Sequence, residues 1–271
     1  AGSMGQYRSL LPDFNGDGCA DLAIGVPNKD LNPGAGASHG QVNIVYGGWH
    51  GLTALDNQTW HRGGGFDQDG NSLGDIQMEL RANDKFGSAL TMGDFNGDGY
   101  TDLAIGVSES IAGGFFIAGA VHILYGSVDG LTAAGNQVWT QGGGWADPEG
   151  DGSGLFLGDI YGGPEDNDRF GKAVAAGDYN GDGFTDLAIG VPQEAVGSTA
   201  NAGAVNLIYG SATGLTWVGN EMWRQDGALR EQDGSGNYQA IGDILGVVEA
   251  GDYFGDALAA GDFDGDTYAD L

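Results

Sequence analysis

The sequence predicts an all-β chain, a β-propeller of four-stranded antiparallel blades, and three observations carry that expectation. A set of landmarks returns at a fixed step along the chain. Each returning unit divides into four short apolar stretches separated by Gly- and Asp-rich turns. Glycine supplies 55 of 271 residues, far above the usual share of about 7%, and each glycine inside a helix costs about 1 kcal/mol. No stretch shows the 3.6-residue period of a sizeable helix.

The repeat is read first, because fixed-period self-similarity decides the architecture. Asp13-Phe-Asn-Gly-Asp-Gly-Cys-Ala-Asp21-Leu returns from Asp94 to Asp102, from Asp178 to Asp186 and, with changes, from Asp262 to Asp270, at steps of 81, 84 and 84 residues. Tyr46-Gly47, Tyr125-Gly126 and Tyr209-Gly210 keep the same step. So do Gly51-Leu52-Thr53, Gly130-Leu131-Thr132 and Gly214-Leu215-Thr216, then Trp60, Trp139 and Trp223, then Gly74-Asp75, Gly158-Asp159 and Gly242-Asp243. Phe86-Gly87, Phe170-Gly171 and Phe254-Gly255 close the series. Residues 1–4 read as a cloning remnant. The units then run over residues 5–85, 86–169 and 170–253, and residues 254–271 hold a final strand and loop.

Within the second unit the expected strands are residues 86–93, 102–107, 119–125 and 137–140. The first is rich in small residues, which suits the crowded position nearest a propeller axis. The second is continuously apolar, as a strand buried on both faces would be. The third is again apolar, and the fourth is short. Four strands per unit fit a propeller blade. A β-solenoid is the alternative, although its repeats are usually shorter. Residues 142–168 are expected as an insertion on one rim. The chain holds three such units, and closure into six blades by two copies is the expected oligomer.

Composition excludes several functions. Nine Lys and Arg stand against 38 Asp and Glu, a formal charge of -29. Nucleic acid would be repelled, since its binders present basic patches, and so would an anionic membrane surface. Membrane insertion is not expected, because the longest apolar run, residues 115–125, is interrupted by Gly119 and His122 and falls short of the roughly 20 residues of a span. A 41% hydrophobic and 10% aromatic content is enough for a core and argues against disorder. Cys19 is the single cysteine, so no internal disulfide exists.

The nine-residue pattern Asp-x-Asn/Asp-Gly-Asp-Gly-x-x-Asp offers oxygen side chains at positions 1, 3, 5 and 9, and the carbonyl of position 7 completes the set. The expected ligands are Asp13, Asn15, Asp17, Cys19 (carbonyl) and Asp21; Asp94, Asn96, Asp98, Tyr100 (carbonyl) and Asp102; Asp178, Asn180, Asp182, Phe184 (carbonyl) and Asp186; and Asp262, Asp264, Asp266, Tyr268 (carbonyl) and Asp270. Hard oxygen donors alone point to Ca2+, up to four ions. Zn2+ would want His or Cys side chains, and Mg2+ prefers to keep several waters. A true EF-hand is rejected, because its twelfth position, a Glu, is here Ile24, Ile105 or Ile189, and a strand follows instead of a helix. The fourth loop carries Thr267 where the others have Gly at position 6, and is expected to be the weakest.

Phe-Gly, a short strand, Gly-Asp, the Asp loop and then Asp-Leu-Ala-Ile-Gly-Val-Pro resemble the FG-GAP repeat, the unit of the integrin α-subunit N-terminal propeller and of many bacterial secreted or surface proteins. The Gly-Ala-Pro element stands here as Gly25-Val26-Pro27, Gly106-Val107-Ser108 and Gly190-Val191-Pro192. The resemblance covers essentially residues 13–271. It implies a calcium-stabilised propeller serving adhesion or ligand binding, at an extracellular or cell-surface location. Two departures stand out: the family's propellers usually have seven blades, and its units are nearer 60 residues. The extra length holds acidic clusters at residues 67–71, 147–151 and 231–235, read either as solvated loops or as further cation sites.

Catalysis finds little support. Gly36-Ala37-Ser38-His39-Gly40 matches G-x-S-x-G but lacks the strand-turn-helix context of a nucleophile elbow. His39, His50, His61 and His122 do not recur between units. The three tryptophans are blade core or a sugar-stacking platform. Three functions remain: a calcium-binding adhesion or ligand-binding module with a protein or glycan partner, a self-assembling ring of two chains, or the accessory propeller of a larger secreted enzyme.

Overall fold

The computed structural model describes residues 12–32, 36–150, 154–232, 234, 236–242 and 244–271. Among them there is no helix. Three antiparallel sheets of four, six and six strands form three propeller-like blades. The first holds β1 (Leu22–Gly25), β2 (Val42–Val45), β3 (Gln58–His61) and β4 (Gly64–Asp67). The second holds β5 (Ala89–Gly93), β6 (Asp102–Val107), β7 (Ala120–Tyr125), β8 (Thr132–Thr140), β9 (Gly143–Asp147) and β10 (Leu155–Gly158). The third holds β11 (Val174–Gly177), β12 (Asp186–Val191), β13 (Ala204–Tyr209), β14 (Thr216–Arg224), β15 (Gly227–Glu231) and β16 (Tyr238–Gly242). Strands follow one another across each sheet in chain order, an up-and-down meander that a solenoid does not have.

Two expectations are corrected. The blades are not limited to four strands: the stretch read as a rim insertion folds back as β9–β10 and β15–β16, which lengthen their sheets outward. The fourth strand is also longer than residues 137–140. It starts at Thr132 opposite Tyr125 and passes through a register shift before Gln137 meets Ile123. The expected first strand of the first unit falls on residues outside those described. The expected strand at residues 254–261 forms only isolated bridges, Phe254 with Gly203 and Gly261 with Asp270. Its equivalents β5 and β11 pair with β6 and β12, a pairing that residues 254–261 do not make among the described residues.

The core lies between blades. Strand two alternates its faces. Leu103 and Ile105 pack with Val42, Ile44 and Trp60 of the blade before, while Ala104 joins Leu187 and Ile189 of the blade after. Burial of all six residues in β6 and β12 follows. The Phe-Gly pair makes each joint: Phe86 bridges Gly40 and Phe170 bridges Gly119, and both rings are fully buried. The facing Gly25, Gly106 and Gly190 are required by close approach. A Cβ there would lie 2.2, 2.3 and 2.0 Å from the carbonyl oxygens of Gly87, Gly171 and Gly255. The Tyr-Gly and Gly-Leu-Thr landmarks meet across the same joint. Tyr46 accepts a hydrogen bond from Leu131 N at 3.3 Å, and Gln58 and Gln137 donate to the carbonyls of Leu131 and Leu215. Trp60 and Trp139 are fully buried core residues with their indole N–H on Gln58 and Gln137. Neither is a stacking platform.

Candidate metal centre

The loops at Asp94–Asp102 and Asp178–Asp186 connect β5 to β6 and β11 to β12, the loop at Asp13–Asp21 leads into β1, and all four loops share one hydrogen-bond pattern. Position 1 accepts the position 6 amide: Gly18 N on Asp13, Gly99 N on Asp94, Gly183 N on Asp178 and Thr267 N on Asp262, at 2.9–3.1 Å. Position 3 accepts the position 5 amide through Asn15, Asn96, Asn180 and Asp264 at 2.8–3.1 Å. Position 5 accepts the amide of position 7, Cys19, Tyr100, Phe184 or Tyr268, at 2.8–2.9 Å. Every turn is thus stapled by a carboxylate or amide oxygen that bonds a backbone N–H just ahead of it. The wrap needs positive φ at positions 4 and 6. Glycine supplies it except at Thr267, whose φ of +80° is a strained choice for a β-branched residue.

Position 9 is different. Asp21, Asp102 and Asp186 are buried. One carboxylate oxygen accepts the position 2 amide, from Phe14, Phe95 or Tyr179, at 2.7–2.9 Å. The other accepts Gly47, Gly126 or Gly210 at 2.8–2.9 Å. Those glycines belong to the Tyr-Gly landmark, so this aspartate ties its loop to the end of strand three. Asp270 repeats the first bond, from Phe263 N at 2.8 Å. Burial pushes the Asp102 carboxyl up to about 8 and Asp186 to about 7, the amide donors pulling the other way and the crowded neighbouring aspartates adding to the rise.

The sequence reading grouped positions 1, 3, 5, 7 and 9. Among the described residues, three acidic side chains converge in the fourth loop: oxygens of Asp262, Asp264 and Asp270 lie within 4.8 Å of one another. These are positions 1, 3 and 9. The other loops have Asn at position 3, so their corresponding trio is two carboxylates and an amide oxygen. Asn96 and Asn180 turn their amide N–H to Asp98 and Asp182.

Position 7 has a second role that the spacing did not reveal. The Tyr100 ring covers Gly16 of the preceding loop, Phe184 covers Gly97 and Tyr268 covers Gly181, where a Cβ would lie 2.6, 2.5 and 2.3 Å from the ring. Position 8 joins in: Thr101 N donates to the Asp13 carbonyl and Thr101 Oγ1 accepts from Asp13 N, both at 3.0 Å. Thr185 does the same with Asp94 at 2.9 and 3.1 Å. The loops therefore form a chain of contacts around one rim. The aromatic residues at position 7 were the available signal.

The remaining candidates make local contacts. Asp67 caps a hairpin turn through Asp69 N and Asn71 N, Asp147 through Gly150 N, and Glu231 accepts Gly236 N. Asp151, Asp233 and Ser235 of those clusters lie outside the described residues. Ser38 sits in a loop leading to a strand. His122 is fully buried against the edge of Phe86 at 5.6 Å, and His39 is buried 3.6 Å from Asp30. No helix of the described residues is long and apolar enough to cross a membrane.

Residues 7–40, 86–124 and 170–206 match the family model described as FG-GAP repeat. The chain is 34% identical over 201 residues to phosphatidylinositol-glycan-specific phospholipase D of Bos taurus, covering 74% of this chain and 20% of that protein. It is 27% identical over 275 residues to integrin alpha-PS2 of Drosophila melanogaster, covering 98% of this chain and 15% of that protein. It is 27% identical over 240 residues to integrin alpha-V of Gallus gallus, covering 87% of this chain and 18% of that protein. The chain spans a fifth or less of the length of these relatives.

Proposed function

Because this chain carries FG-GAP repeats in three places, we propose that it is a calcium-stabilised propeller module for adhesion or ligand binding, working outside the cell or at its surface. The observation that carries the calcium reading is the fourfold recurrence of one loop geometry whose only side-chain donors are oxygens, with three carboxylates converging in the fourth. Asp13, Asn15, Asp17 and Asp21, and their equivalents in the other three loops, would hold the ion, with the carbonyls of Cys19, Tyr100, Phe184 and Tyr268. The ion supplies positive charge where burial and crowding have raised the proton affinity of Asp102 and Asp186. Because each loop touches the next, ordering one loop also orders a joint between blades.

The module is proposed to be non-catalytic. Kinship to integrin alpha subunits supports adhesion. Kinship to a phospholipase D, over a fifth of its length, favours a second reading as the accessory propeller of a larger enzyme. Thermal melting with calcium and with a chelator tests the first part. A site with Kd of about 10^-4 M in about 1 mM calcium stabilises by about 1.4 kcal/mol, so four should move the melt by many degrees. Equal melting temperatures refute the calcium reading. A glycan array and immobilised matrix proteins, probed in calcium and in chelator, test ligand binding. Hydrolysis of a glycan-linked phosphatidylinositol by this chain alone would refute the non-catalytic reading.

A further inference from the structure

The two joints between blades share the contacts above and differ at a buried polar cluster, in two of its three side chains. Between the first and second blades, Arg62 stands two residues after Trp60. Its guanidinium is ion-paired with Asp84 and donates to Ser110 Oγ at 3.0 Å. Arg62, Asp84 and Ser110 are all buried. Between the second and third blades the same three places hold Gln141, Asp168 and Glu194, also buried. A cation has become neutral and a hydroxyl has become a carboxylate, so the joint has exchanged one positive charge for one further negative charge.

We propose that this joint holds a hard divalent cation of the calcium class, bound by Asp168, Glu194 and Oε1 of Gln141, where the first joint holds the Arg62 guanidinium. Gln141 is 1% exposed. Its Nε2 donates to Glu194 Oε2 at 2.6 Å, which fixes the amide in the cluster. Its Oε1 is buried with no hydrogen-bond partner among the described residues. An orphaned buried amide oxygen carries an unrepaid desolvation cost, and a cation beside it removes that cost. The backbone closes the site: Gln193 N donates to the Asp168 carbonyl at 3.3 Å, and the Glu165 amide donates to the Asp168 carboxylate.

The surrounding charges do not restore the balance. Asp168 feels Glu165 and Asp166, both acids, and Glu194 feels Asp168, Glu165 and Arg224. Arg224 is the one nearby cation in that set, and its Nε lies 2.8 Å from Asp226. Three oxygen donors and no nitrogen or sulfur select a hard cation. This site stands apart from the Asp loops, and its test is separable from theirs.

The experiment counts calcium bound per folded chain by equilibrium dialysis and elemental analysis. The double variant Gln141→Arg with Glu194→Ser copies the side chains of the first joint, and Glu194→Gln is a gentler second variant. Both should bind one ion fewer than the parent, and the double variant should lose less melting temperature in chelator. Loop variants such as Asp98→Ala should lower the count independently. An unchanged count in folded Glu194→Gln overturns the proposal while leaving the loops intact. A parent chain that binds a single ion, lost in Glu194→Gln and kept in Asp98→Ala, would overturn the loop reading instead.

Discussion

At the scale of single residues, the loops show what a spacing pattern can and cannot carry. The Asp, Asn and Gly positions were legible because a wrapped loop needs side-chain oxygens and positive φ at fixed offsets. The double duty of position 9 was not, because Gly47, Gly126 and Gly210 lie 24–26 residues away and only folding brings them near. Thr267 is the misfit of the pattern, and it takes φ +80°. Such a conformation costs about 1–3 kcal/mol in a non-glycine residue. Thr267→Gly should therefore raise stability by about 1 kcal/mol in a urea titration, net of the entropy glycine adds to the unfolded chain. In a calcium titration, Asp270→Ala should remove the weakest of the loop sites, and loss of the tightest would contradict this ranking. Gly97→Ala works in the opposite direction. Its φ is +72° and its Cβ would press 2.5 Å from the Phe184 ring. A loss of about 2 kcal/mol is expected, read from the same titration.

At the scale of elements, the apolar strands β6, β7, β12 and β13 were plain in the sequence, since continuous burial demands continuous apolar residues. The outer hairpins were not. Leu155–Gly158 is short, with Leu155 and Phe156 exposed, and Gly143-Gly144 reads as a turn. What holds the hairpin is a flat contact: a Cβ at Gly144 would sit 2.4 Å from the Trp139 ring, so only glycine lets the outer strand lie against the indole. Gly144→Val should pry β9 and β10 from the sheet, read as faster amide exchange at residues 143–147 with the inner strands unchanged. The joints respond more strongly. Phe170 is fully buried between blades, and Phe170→Ala should cost about 3–5 kcal/mol. Arg62→Ala strands the buried Asp84 carboxylate and should cost about as much, 3–5 kcal/mol, whereas Arg62→Met with Asp84→Leu should recover most of it. A double-mutant cycle by chemical denaturation checks the pair.

At the scale of the whole molecule, the repeat made the architecture legible, and comparing equivalent positions shows which blade faces are covered. Each blade offers one face to the blade before and another to the blade after. On the first blade the former face is open: Leu22 and Ile24 are each 41% exposed, while Leu103, Ile105, Leu187 and Ile189 are fully buried. Leu52 is likewise 54% exposed against 2% for Leu131 and Leu215. At the other end, Phe263 is 68% exposed where Phe14 and Phe95 are fully buried, and Gly265 has no neighbour where Gly16, Gly97 and Gly181 each carry a ring. The open surfaces are thus the two halves of one joint that the chain builds twice internally. We expect two copies to meet through them and close a ring with C2 symmetry. One route is strand exchange, in which residues 254–261 complete the partner's first blade and the loop at Asp262–Asp270 competes with the loop at Asp13–Asp21 for one place. Light scattering in calcium should give the mass of two chains. Leu52→Asp with Ile24→Asp places charge on the open face and should return a folded monomer with unchanged strand content. A compact monomer from the unaltered chain in calcium would reject ring closure and leave each open face to some other FG-GAP blade.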